Sequence, residues 1–418
     1  MITGLGPERF LADPLGYMTR CVREHGDFVP IPLHSGPAYV LGHPDMIGHV
    51  LVRHPERYVR DRSIQRYRRL AGVSLLADDD DGAVLQRHRL SSLFDRDNAD
   101  ISAGVVAATA DDRVARWADG AEPELYREML DLTLEVMIKI IFGGRPSPRI
   151  HEHARVALEL LRLAMERRPR TGESADTGAG EFAARTALLG SAIDEFIRER
   201  RSAPTGEDLL SRALAAPDPM TPERLRDELI SLLVFSHETT ALALTYTAYL
   251  LAAHPSAQEE LAAEVRHVAG DRAVRASDVD RLPYARRLVR ESLRLYPPVW
   301  ILTREATRDD VISGHRVEAG ARLLIPRWTI QRDPRFFDDP DEFRPHRDPA
   351  RHRLAYFPFG LGPRRCLGSG PAMLEIAVVL TVFARRVSFS LPADHRLSLL
   401  PTLHLRPRDG LRLRIARI

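Results

Sequence analysis

Ten residues, Phe359-Gly360-Leu361-Gly362-Pro363-Arg364-Arg365-Cys366-Leu367-Gly368, limit the architecture of this chain more than any other stretch. Glycines at 360 and 362 permit a tight turn with positive φ, so the backbone there approaches a sulfur or a flat ligand closely. Two arginines precede Cys366, and an apolar helical pattern runs from roughly Leu367 to Arg386. The cysteine is therefore expected at or near a helix N-terminus, where unpaired N–H groups and the helix dipole favour a thiolate over a thiol. A lone cysteine is more often a buried structural thiol, but the loop around this one weighs against that reading.

A thiolate held in this way is a good axial ligand for haem iron, and Arg364, two residues earlier, is placed to meet a haem propionate. The pattern Phe-x-x-Gly-x-Arg-x-Cys-x-Gly, met at Phe359, Gly362, Arg364, Cys366 and Gly368, resembles the haem-ligand loop of the cytochrome P-450 family. The resemblance implies a mainly α fold with small β-sheets, a long central helix over the haem, and one domain spanning 1–418. It implies haem b with its axial thiolate from Cys366, held by a loop to which Phe359, Gly360 and Gly368 belong.

The bulk numbers agree with a soluble globular chain. Of 418 residues, 44% are hydrophobic and 28% charged, enough for a sizeable core. Length alone suggests two or three domains, although single folds of this size exist. A net charge of +2 gives no pull towards nucleic acid, and Lys139 is the only lysine. Cys21 and Cys366 make no disulfide framework, so a reducing, cytoplasmic setting is expected. The N-terminus lacks a signal pattern, and no run of about 18 uninterrupted apolar residues exists. For a family member this points to a soluble bacterial type with no membrane partner.

A second constellation lies in Thr221–Ala253. Thr221 suits a cap, Pro222 the first helical position, and Glu223, Asp227 and Glu228 the positive helix end. More than thirty residues without a breaker predict a helix of about 45–50 Å. Phe235-Ser236-His237-Glu238-Thr239-Thr240 sits at its middle, and an acid in an apolar stretch is costly to bury without purpose. The segment resembles the family's oxygen-binding helix, with Glu238 and Thr239 at the acid and alcohol positions. Phe235 and Ser236 depart from its two small residues, and Phe235 is expected beside the substrate and oxygen sites. An exposed helix acid is the plain alternative for Glu238, and His237 reads as a filler position.

Glu291 and Arg294 lie three apart on one helix face, a common surface spacing. Their position before Leu295-Tyr296-Pro297-Pro298 resembles the family's buried pair, for which Arg347 is the third member. One acid with two buried arginines calls for carbonyl or carboxylate partners besides. Val299 to Thr303 reads as extended and resembles the family strand that places Val299, Ile301 and Leu302 near the substrate and Arg304 at the second propionate. A helix is expected from about Ala83; where the family has Trp or His and then Arg four residues on, this chain has Leu85 and Arg89, with His88 as the compensating candidate.

Elsewhere the patterns predict a helix over 9–26, a hairpin over 28–40, and helices over 105–145, 151–167, 255–268 and 284–295. Paired strands are expected over 311–325 with a turn near 318–320, and strands at 387–391 and 411–415. Arginines 57, 60, 62, 66, 68 and 69 suit a solvated face or, alternatively, an anionic substrate group. Residues 168–180 read as a loop, by resemblance a lid, and Thr402–His404 by resemblance touch the substrate. The resemblance as a whole implies a monomeric haem-thiolate monooxygenase that takes electrons from a ferredoxin and ferredoxin reductase and oxidises a hydrophobic small molecule, such as a terpenoid or polyketide. A peroxide-driven peroxygenase and a non-catalytic haem-binding or gas-sensing protein are the alternatives.

Overall fold

The computed structural model describes residues 7–33, 36–60, 82–94, 98–144, 148–166, 179–202, 206–272 and 274–418. The arginines at 62, 66, 68 and 69 and nearly all of the 168–180 loop lie outside them. The chain divides into two compact units. One comprises Met1–Gln65, Arg287–Ser369 and Leu399–Arg406; the other comprises Arg66–Arg286, Gly370–Ser398 and Pro407–Ile418.

The first unit is built on a five-stranded sheet. Its strands are β1 (Phe28–Leu33), β2 (Gly36–Leu41), β3 (Tyr58–Arg60), β4 (Leu302–Ala306) and, after a hairpin of β5 (Asp310–Ile312) and β6 (His315–Val317), β7 (Arg322–Ile325). The order is β1-β2-β7-β4-β3, and only β2 and β7 run parallel. Alternate residues feed two buried clusters, as period-two side chains must. Leu41, Leu323 and Ile325 join Tyr58, Phe337 and Phe357. Val29, Val40 and Leu324 join Tyr17, Met18 and Trp300.

Two local expectations change. The 9–26 helix is broken at Asp13, whose carboxylate accepts from Gly16 N at 2.9 Å and caps a new helix, Pro14–His25. The β5–β6 hairpin turns at Ser313-Gly314, not near 318–320. Both turn residues have positive φ (48° and 86°), which suits a two-residue hairpin loop. Residues 318–321 instead lead into β7, which pairs with β2 and β4.

In the second unit the central helix, Pro222–Ala253, is capped by Thr221, whose hydroxyl accepts from Arg224 N at 3.3 Å. Its 32 residues span about 48 Å. It is long and apolar enough to cross a bilayer, but 72% of the relevant window is buried within the protein, as in a core helix. The predicted 105–145 helix is two, Ala99–Ala115 and Leu125–Phe142, the second capped by Glu124. The last strands, β8 (Val387–Ser390) and β9 (Arg414–Arg417), pair antiparallel.

The helix Ser369–Arg386 buries every residue from Glu375 to Ala384. Glu375 Oε1 has no hydrogen-bond partner, and burial pushes its carboxyl up to about 8 from 4.5. Between those values the folded protein keeps a proton that the unfolded chain releases, so stability falls as pH rises. Glu375→Gln is expected to flatten this slope and to raise stability at pH 8 by about 2–4 kcal/mol. Urea unfolding of both proteins from pH 5 to 8 checks this; parallel curves would show that the carboxyl is not held neutral.

Candidate active site

The cysteine loop is set by its glycines. Gly360 and Gly362 have φ of 75° and 70°, and a Cβ on Gly362 would lie 1.8 Å from the Leu51 carbonyl oxygen. No other residue fits that approach. Gly360 N donates to Phe357 O at 2.9 Å, and Cys366 N to Phe359 O at 2.8 Å, so Phe359 fixes the cysteine through its backbone. Gly362–Arg364 forms a single 3₁₀ turn, after which Arg365 goes extended (ψ 149°). The helix therefore begins at Ser369, not at Leu367, and Cys366 precedes it as an exposed thiol outside any disulfide. A Cβ on Gly368 would make only an ordinary contact, 3.9 Å, with the Cys366 sulfur. Cys21, by contrast, is fully buried, and burial pushes its thiol up to about 11.

Cations gather in the same unit. Arg364 Nη1 donates to the carbonyls of Pro55 and Tyr58, both at 2.8 Å, which anchors it beside β3. Arg304 is buried on β4, donates to its neighbour's carbonyl (Thr303 O, 2.7 Å), and stands opposite Arg60 of β3. Like charges directly opposite on a sheet repel, and a buried guanidinium calls for an anion. Arg327, which no sequence pattern singled out, is also buried; burial and the nearby Arg304 push its guanidinium down to about 9, while the Cys366 thiolate acts in the opposite direction. An exposed thiol on a glycine loop, in the same unit as buried cations, suits a planar iron ligand that carries carboxylates. Haem fits these donors: Cys366 would hold the iron, and Arg304 and Arg364 the propionates.

Glu291, Arg294 and Arg347 come together in this unit. Arg294 grips Glu291 through both carboxylate oxygens at 2.8 Å, and Arg347 Nε reaches Oε1 at 3.0 Å. Arg344 N adds a third kind of donor to Oε1 at 3.0 Å. The surplus positive charge faces carbonyls of Gln331, Glu342, Asp338 and Asp339. Gln331, overlooked in the sequence because a lone Gln carries no signal, donates to Leu293 O and Arg294 O and accepts from Phe357 N at 3.2 Å. The network thereby reaches the cysteine loop.

In the second unit Glu238 is half-buried, not an exposed helix acid, and its Oε1 accepts from Tyr126 OH at 2.7 Å. Tyr126 lies on Leu125–Phe142, more than a hundred residues away, so its role was illegible in the sequence. Thr239 and Thr240 both donate to Ser236 O (3.1 and 3.3 Å), and Ser236 donates to Leu232 O. Thr133 donates to His237 O at 3.0 Å. These bonds compete with the helix ladder around 232–240, a loosening reached here without glycine. His237 is buried, and its ring Nδ1 lies 3.0 Å from Leu233 O one turn earlier. Phe235 is half-buried one turn before the acid pair.

The remaining candidates are scattered. Arg89 is paired with Asp218 (Nε–Oδ2 3.0 Å), while His88 and Leu85 are exposed. Val299, Ile301 and Leu302 are half-buried, but Ile301 packs on the Tyr17–Met18 cluster and Leu302 on the Leu41–Tyr58 cluster. The structure does not bring those two to one face, as neighbours on an extended strand must diverge.

Removing the Glu291 charge strands two arginines that are nearly inaccessible. Glu291→Gln is expected to cost about 3–5 kcal/mol and to release haem during purification. Urea unfolding together with the haem-to-protein absorbance ratio checks this; an unchanged midpoint and full haem content would show that the network is dispensable.

Comparison with known proteins agrees with this geometry. The family model described as Cytochrome P450 matches residues 8–412. The protein named "Putative cytochrome P450 132" of Mycobacterium bovis is 32% identical over 395 residues, covering 88% of this chain and 86% of that protein. Pentalenene oxygenase of Streptomyces avermitilis is 28% identical over 418 residues (96% and 92% covered), and cyclooctat-9-en-7-ol 5-monooxygenase of Streptomyces melanosporofaciens 30% over 381 (87% and 82%). The crystal structure of the cytochrome P450DA heme domain superposes with a TM-score of 0.89 at 24% identity, over 99% of this chain and 96% of that one. With a helix-rich fold carrying small sheets and a cysteine thiolate loop built to receive haem, the chain belongs to the cytochrome P450 family.

Proposed function

We propose that this monooxygenase hydroxylates a hydrophobic terpenoid, using haem b, dioxygen and two electrons delivered by a ferredoxin and its reductase. The observation that carries the reading is that one chain holds both a glycine-set cysteine loop and, on its central helix, an acid–alcohol pair. Bound haem supplies oxygen activation, with the Cys366 thiolate donating electron density to the iron. The chain supplies the rest. Thr239 spends its hydroxyl proton on Ser236 O and keeps its lone pairs free to accept from water. Glu238, steadied by Tyr126, is the group that passes protons towards it. Arg304 and Arg364 are the proposed partners of the propionates, with Arg89 as the third candidate. Exposed Arg365 and half-buried Arg87 are candidate contacts for the acidic partner. Names of relatives that oxidise terpenoids support the substrate class, and a polyketide is the other hydrophobic candidate. A monomer in the cytoplasm fits the free, buried Cys21 thiol.

Two measurements test this. The reduced protein with carbon monoxide is expected to give a strongly red-shifted Soret band that Cys366→Ser abolishes; an ordinary histidine-type band in the fresh wild type would sink the thiolate reading. Thr239→Ala is expected to keep that band yet divert at least about tenfold more reducing equivalents into peroxide per product formed. Equal coupling in the two proteins, or faster turnover with hydrogen peroxide alone than with the electron partners, would favour the peroxygenase instead.

A further inference from the structure

Arg327 has a setting that the assigned roles leave unexplained. It follows Pro326 directly after β7, and its side chain is among the largest fully buried ones, only 2% exposed. A guanidinium carries five N–H donors. Arg327 makes one hydrogen bond among the described residues, Nη1 to Val299 O at 2.6 Å. Its carbon lies 5.3 Å from the centroid of the Phe357 ring, two residues before Phe359. Its Nε is buried and has no partner. No carboxylate among the described residues pairs with it, in contrast to Arg294, whose fork is filled by Glu291 and three carbonyls. The nearest cation that acts on it is Arg304, which repels it, while the Cys366 thiolate acts in the opposite direction.

A buried arginine with an open donor and a second buried arginine for a neighbour is costly as it stands. The cost is offset when an anion with two acceptor oxygens arrives, because the free edge of a guanidinium suits a carboxylate. Haem brings two carboxylates to this cysteine loop. We infer that Arg327 is a further haem-anchoring residue, which shares a haem carboxylate with Arg304. The inference rests on the haem assignment and extends it to a residue outside the cysteine motif. Arg327 touches the cofactor's periphery, not the reacting atoms. Its contacts to Val299 and Phe357 hold the same guanidinium between the strand that leads to Arg304 and the loop that leads to Cys366.

A four-way exchange tests this. Wild type and Arg327→Gln are each reconstituted with haem and with haem dimethyl ester, whose carboxylates cannot ionise. Haem loss to excess apomyoglobin is then timed. Ordinary haem is expected to leave the variant about tenfold faster than the wild type, and the ester to leave both at the same rate. Equal acceleration for haem and ester would mean that Arg327 only packs the fold; no acceleration for either would mean that it binds nothing on the cofactor, for instance a substrate carboxylate instead. Both outcomes overturn the inference. If Arg327→Gln does not fold, Arg327→Lys goes through the same exchange: it keeps the charge but loses the fork, and is expected to show a smaller loss that again vanishes with the ester. Failure of the haem-thiolate reading is seen separately, in the carbon monoxide spectrum of the wild type.

Discussion

One carboxylate organises the haem-binding loop from a distance. Glu291 fixes Arg294, Arg294 fixes the Gln331 carbonyl, and the Gln331 side chain holds Phe357 N. Phe357 O then receives Gly360 N, and Phe359 O receives Cys366 N. Each link is a hydrogen bond, most of them made by backbone groups, so the position of the sulfur follows from an ion pair on another element. Such a buried network is stable only when every member is satisfied. Here the surplus arginine charge ends on backbone carbonyls, which are fixed by the fold and do not titrate.

Charge is distributed differently around the cofactor than around this network. The Glu291 cluster is complete within the chain. Arg304 and Arg327, by contrast, are buried near one another, and Arg327 has an unfilled donor. The protein thus stores unfavourable electrostatics where the ligand brings the compensating carboxylates. Cofactor binding contributes to folding stability in such a design, because the loaded state removes a repulsion that the empty state carries.

Much of this was readable in the sequence because it is local. Glycines, the cysteine and the arginines of the loop act within ten residues, and the central helix declares itself by its cap, its proline and its uninterrupted length. What was illegible is non-local or generic. Tyr126 meets Glu238 across more than a hundred residues, and Gln331 and Arg327 belong to no pattern. The start of the cysteine helix was misplaced by two residues because an apolar periodicity does not register the extended Arg365 that delays it. The 318–320 turn was misread because Gly320 is a turn signal as strong as Gly314, and only strand pairing decides between them. Leu302 and Ile301 both looked like pocket residues, since a sequence does not say which sheet face is which.

The approach of Gly362 to the Leu51 carbonyl has a consequence for how the chain is made. The first unit is discontinuous: β2 finds its parallel neighbour in β7, β3 pairs with β4, and residue 51 meets residue 362. A ribosome delivers residues 28–60 long before any of those partners, so the N-terminal hairpin emerges as an unfinished sheet with open edges. The second unit draws most of its length from one continuous stretch, Arg66–Arg286, and is completed by Gly370–Ser398 and Pro407–Ile418. Synthesis order therefore makes the cysteine loop, and with it the haem site, among the last parts of the molecule able to close.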